Sequence, residues 1–189
     1  MKKNLIIFTL LTALLSTILT GAAFSAYPIY KVPIKIKTWK LALSLLNKQA
    51  MINIINEERE MGNTCSDGIF YAPDNSLFAN NDLTIAAQKH AEEMARTGVF
   101  SHNNKDGLKP TDRIRNTGYL DNCRGWSTGE NISWSSNGAI DQKNVVDRWL
   151  SSKKGHCQAL MNGNYNEIGI GYAISDKGIY WVANFGRCD

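Results

Sequence analysis

Behind Lys2 and Lys3, the residues from Leu5 to about Leu19 are apolar apart from threonines and serines, and small residues follow in TGAAFSAY. A charged start, an apolar middle and a small-residue end are the layout of a secretory signal, with Ala23, Ser25 and Ala26 as admissible cleavage positions. Leu5 to Ala26 is also nearly long enough to span a bilayer, so an uncleaved membrane anchor is the alternative. The next stretch, YPIYKVPIKIKTWK, holds two prolines and an Ile/Lys alternation from Ile34 to Lys37. It is predicted to be extended and peripheral. From about Leu41 to Glu60 the period becomes helical, with Leu43, Leu45, Leu46, Met51, Ile52, Ile54 and Ile55 preceding a stop at Gly62 and Asn63.

A turn-rich loop, NTCSDGIFYAPDNS, separates this helix from a second one over about Asp82 to Thr97. There Leu83, Ala86, Ala87, His90, Ala91, Met94 and Ala95 share one face, and Gly98 supplies a left-handed stop. His90 lies on that stripe and reads as a core histidine with a hydrogen-bond partner. A short helix is expected from about Thr111 to Asn116, ended by Gly118. A third substantial helix is expected over Ile140 to Ser152, with Val145, Val146, Trp149 and Leu150 on one side and Gly155 closing it. EIGIGYAI and GIYWVANFG, joined by SDKG, predict a hairpin. Helices first and antiparallel strands last make the class α+β, with a sheet between helical layers.

Charge changes this picture at one end only. Residues 1 to 56 contain seven lysines and no acid, while the whole chain carries a formal charge of +4. Lys31, Lys35, Lys37, Lys40 and Lys48 therefore make a basic leader ahead of a mildly acidic globule. Such a leader suits contact with an anionic lipid or cell-surface polymer, or plain solvation; nothing further in the chain supports a nucleic-acid partner. Past the signal remain about 163 residues, one domain's worth. Cys65, Cys123, Cys157 and Cys188 all follow the signal, and an even number in an exported chain indicates two disulfides, by any of three pairings.

Three side chains stand out as candidate chemistry: His102 in FSH, Glu130 in GEN and His156 in GHC, each in a segment that reads as a turn beyond a regular element. Glu130 is expected to fix the turn of GEN through local backbone hydrogen bonds.

The order of short motifs resembles a known family. INEER (Ile55 to Arg59), HAEEMA (His90 to Ala95), FSH (Phe100 to His102), GENI (Gly129 to Ile132), VVDRW (Val145 to Trp149), GH (Gly155 and His156), EIGIG (Glu167 to Gly171) and YWVANFG (Tyr180 to Gly186) are collinear. In that order they are similar to the bacterial branch of the CAP superfamily, the SCP-like domains related to pathogenesis-related and cysteine-rich secretory proteins. The resemblance covers about residues 48 to 189, leaving 1–26 as signal and 27–47 as basic leader.

It implies a three-layer α-β-α sandwich of the CAP type with a mainly antiparallel central sheet. It also implies a cleft of two histidines and two acids that in some members holds zinc or another divalent cation. The matching positions are His102, His156 and Glu130; where the second acid would stand, three residues after Trp149, this chain has Ser152. Two imidazoles and one carboxylate meet the three-ligand count of a zinc site but leave no separate base for a bound water. The resemblance further implies a Cys65–Cys157 disulfide, which leaves Cys123 with Cys188. Ser152 reads as a helix-end residue, since SSKKGH offers neither a strained elbow nor an oxyanion hole, and Glu167 as structural. The expectation is a secreted or periplasmic module that binds a lipid, glycan or protein. A peptidase-like hydrolase using His102, Glu130 and His156 is the competing class.

Overall fold

The computed structural model describes residues 36–136 and 141–189; the signal, the stretch 27–35 and Ile140 lie outside them. Glycine and proline set the first boundaries. After Pro33 no breaker occurs until Gly62, and α1 runs Ile36–Met61, starting earlier than the expected Leu41. Lys37 and Lys40 thus belong to a helix, not to an extended leader. Lys48, also counted in that leader, sits on α1 with its ammonium pKa lowered by burial against the opposing pull of Glu92.

A two-stranded antiparallel ribbon, β1 (Asn63–Thr64) with β2 (Phe70–Tyr71), follows α1, and β3 (Phe78–Ala79) leads into α2 (Asn81–Thr97). Asn80 caps α2 by accepting the Asp82 and Leu83 N–H groups, and Gly98 at φ 74° ends it. The apolar stripe of α2 is buried as its spacing predicts. Beyond it come α3 (Pro110–Arg115), β4 (Trp126–Ser135), α4 (Gln142–Leu150), α5 (His156–Leu160), β5 (Glu167–Ser175) and β6 (Gly178–Cys188). Among the described residues no helix is long and apolar enough to cross a membrane.

The main sheet has the order β3-β5-β6-β4, with β3 parallel to β5 and the other pairs antiparallel. β6 is buried on both faces. Its Ile179, Trp181, Ala183 and Phe185 pack with Met51 and Ile55 of α1, Val146 and Trp149 of α4 and Leu160 of α5. The alternate residues Tyr180 and Val182 pack with Ile132 and with Ala87, Ala91 and Met94 of α2. One sheet between two helical layers is the α-β-α sandwich. Arg59 of the INEER motif is 1% exposed and ties α1 to the end of α5, donating to Leu160 O at 2.8 Å and pairing with Asp74 at 3.0 Å.

Three local expectations are corrected. GEN is no turn but the middle of β4, which pairs with β6 along its whole length. Helix α4 is shorter than Ile140 to Ser152, because Asp141 caps it by accepting the Asn144 N–H and it stops at Leu150. Gly155, at φ 84°, does not close α4; it opens α5, so His156 begins a helix instead of sitting in a turn. As the outer strand, β4 also needs its edge covered. Side-chain donors cover it: Tyr165 Oη on the Thr128 carbonyl, Trp149 Nε1 on Ile132 and Arg148 Nη1 on Trp134. Two disulfides join Cys65 to Cys157 and Cys123 to Cys188, the pairing that the family resemblance implies.

Candidate functional site

The outer strand is where the three singled-out residues meet. Glu130 lies opposite Asn184 on β6, and its side chain is 1% exposed. From the loop after α2, His102 brings Nδ1 to 2.8 Å from Glu130 Oε1. A carboxylate only accepts, so this ring nitrogen carries the proton. The other oxygen, Oε2, accepts from Arg113 Nη2 of α3 at 2.5 Å. Arg113 is itself almost wholly buried, and its Nη1 donates to the carbonyls of His102 (2.7 Å) and Leu108 (2.9 Å). One guanidinium therefore neutralises the acid and fixes the loop that carries the histidine. With its amide nitrogen turned toward the acid, Asn184 also donates to Oε2 at 3.1 Å. Glu130 is thus held by side chains, not by the local backbone bonds expected of a turn.

His156 reaches the same place from the other side of β4. Asn131 Nδ2 donates to the His156 carbonyl at 2.9 Å, and the adjacent Cys157 is bonded to Cys65. The imidazole Nδ1 is hydrogen-bonded with Ser152 Oγ at 2.7 Å, and that hydroxyl also accepts the Lys154 N–H at 3.1 Å. Ser152 is therefore more than a helix-end residue: it stands where the second acid was expected and orients His156. Burial, then the nearby His102 and Lys154 charges, lower the His156 pKa. The two rings lie 6.3 Å apart between centroids, tilted by 31°. They flank an open cleft of about 570 Å³ lined by Phe100, Ser101, His102, Asn103, Ile132, Lys154 and His156.

This donor set does not fit a three-ligand metal centre. Both Glu130 oxygens are engaged, one of them by a guanidinium whose charge opposes a cation. The hydroxyl in the second acid's place bonds His156. What remains toward the cleft is the Nε2 side of two imidazoles, short of the usual count. Among the described residues no group of three or more His, Cys, Asp or Glu side chains is placed to hold a metal ion.

The other residues weighed from sequence have structural places. His90 is 1% exposed and its Nε2 lies 2.9 Å from the Ser101 carbonyl. Glu167 accepts from Asn80 Nδ2 at 2.8 Å and from Tyr119 Oη at 2.6 Å, tying the start of β5 to the cap of α2. Arg113 escaped the sequence reading, because nothing in PTDRIR connects it to an acid 17 positions later. The available cue was Glu130 itself, a lone acid that needs a cation once buried.

Residues 52–185 match the CAP family, described as the cysteine-rich secretory protein family. The chain is 34% identical over 96 residues to an uncharacterized membrane protein of Bacillus subtilis, YlbC, a match covering 51% of this chain and 24% of that one. Over 109 residues it is 27% identical to YkwD of the same organism, covering 58% of this chain and 38% of that one. It therefore spans well under half the length of these relatives. Its fold is similar to that of an extracellular SCP-domain protein from Bacillus anthracis (TM-score 0.60, 21% identity, 87% of this chain and 45% of that one). An outer surface protein of Borrelia burgdorferi is also similar (TM-score 0.55, 20% identity, 79% of this chain and 95% of that one).

Proposed function

Because the chain belongs to the CAP, or cysteine-rich secretory protein, family, we propose that it is an exported binding module that captures its ligand in the cleft between His102 and His156 without transforming it. The observation that carries this reading is the state of Glu130. A general base must come within hydrogen-bond reach of its substrate, and the Glu130 side chain is 1% exposed, with its oxygens turned to His102 and Arg113. The cleft is wide and sets polar side chains beside Phe100 and Ile132, which suits recognition of a lipid, a glycan or a protein segment. Export is supported by the signal-like residues 1–26 and by fold neighbours described as an extracellular and an outer surface protein.

One contact favours a hydrolase as the second reading, the hydrogen bond between Ser152 and His156. In a serine triad the acid orients the same imidazole that activates the serine. Here the acid orients His102 and the serine contacts His156, so the parts are divided between two rings. The test is to incubate the full chain with casein, ester substrates and cell-envelope material. No turnover above blank is expected; turnover abolished by Ser152→Ala or His156→Ala would replace binding by catalysis.

A further inference from the structure

Resting on the binding-module reading, we propose that the cleft takes a phosphoryl group carried on an apolar tail, with Lys154, His102 and His156 around the phosphoryl oxygens and Val99, Phe100 and Trp134 along the tail. The charge pattern comes first. Among the described residues no acid lines the cleft, whereas one lysine and two imidazoles do. Behind that wall the Glu130 side chain is 1% exposed and paired with Arg113, whose charge offsets its own. Ser152 holds the place of a second acid and is itself bonded to His156. Ser101 and Asn103 add neutral polar groups to the same lining. Several donors converging without a competing carboxylate favour an anion with several oxygens. The repulsion from His102 and Lys154 that helps to lower the His156 pKa is the repulsion an anion would relieve.

The apolar part comes from the rim. Phe100 lines the cleft while 48% exposed, and its neighbour Val99 is 62% exposed. Trp134, 42% exposed, lies two residues along β4 from the lining residue Ile132, and so on the same face of the strand. Trp134 and the end of α2 are joined through Lys177. Trp134 Nε1 donates to the Lys177 carbonyl at 3.0 Å, and Lys177 Nζ donates to Thr97 O at 3.4 Å, next to Gly98 and Val99. Exposed apolar surface thus begins at Phe100 on the lining and extends along the chain to Val99 on one side, with Trp134 further along β4 from Ile132 on the other. A phosphorylated amphiphile satisfies both features at once, burying tail on the rim and placing its head in the cleft.

The experiment titrates the full chain with inorganic phosphate, hexyl phosphate, hexanol and Zn²⁺ in turn, following the imidazole signals of His102 and His156 by NMR. Inorganic phosphate is expected to move both rings and to raise the pH at which His156 titrates. Hexyl phosphate is expected to act at a concentration at least about tenfold lower, since burying two methylenes suffices for that gain. Lys154→Gln weakens both anions; Phe100→Ala and Trp134→Ala, with backbone spectra preserved, remove only the advantage of the hexyl chain. Rings unmoved by either anion overturn the proposal, as does Zn²⁺ binding that phosphate cannot displace. Equal affinity for the two phosphates overturns the tail and leaves a site for free phosphate. In each case the binding-module reading stands while turnover is absent, and only turnover removes it.

Discussion

At the scale of single residues, Arg113 decides what Glu130 can do. A carboxylate at 1% side-chain exposure is stable only with its charge matched, and the guanidinium is 7% exposed on the other side of the same contact. Removing either partner strands the other. Glu130→Gln and Arg113→Met are each expected to cost about 3–5 kcal/mol in urea unfolding, and the double variant less than the sum. Single losses below about 1 kcal/mol would show a pair that water screens. Neither outcome was visible from spacing, since the pair joins α3 to β4 across a loop. His102 and His156 were legible as loop-proximal polar residues, but their partners were not. A hydrogen bond between side chains from separate elements leaves no periodic trace in the chain.

Among the elements, α2 and the β5–β6 hairpin were readable because burial on one or both faces imposes a regular apolar pattern. Strand β4 was hidden for the opposite reason. Its Ser127, Thr128, Glu130, Asn131, Ser133 and Ser135 leave it without a continuous apolar face; its pairing with β6 comes from the backbone, while side-chain donors cover its outer edge. The EIGIG motif also acquires a physical meaning here. A Cβ on Gly169 or Gly171 would lie 2.1 or 2.3 Å from the α2 backbone, so these glycines let the helix rest directly on β5. Gly171→Ala is therefore expected to destabilise by about 1–3 kcal/mol through overpacking. Gly125→Ala, with no atom within 4 Å of its added carbon, is expected to be neutral. Calorimetric melting of both variants compares them directly, and an unchanged melting point for Gly171→Ala would contradict the close approach.

For the whole molecule, the pH dependence of stability follows two histidines whose pKa folding lowers. The pKa of His90 is lowered chiefly by burial, as is that of His156, both from an ordinary 6.5. Below that value the unfolded chain binds more protons than the folded one, so stability falls as pH drops through the ordinary value toward the lowered ones. The urea midpoint is expected to be lower at about pH 5.5 than at about pH 7.5, and His90→Gln to flatten the difference. A midpoint that rises on acidification would reverse the sign. The disulfide joining Cys65 to Cys157, across 92 positions of chain, ends one residue from His156. Under the binding reading proposed above, oxidation of these two thiols fastens the helix start that carries one wall of the cleft. A chain kept reduced is expected to hold the start of α5 by the Asn131 and Ser152 contacts alone, so that His156 is less firmly fixed than in the oxidised chain.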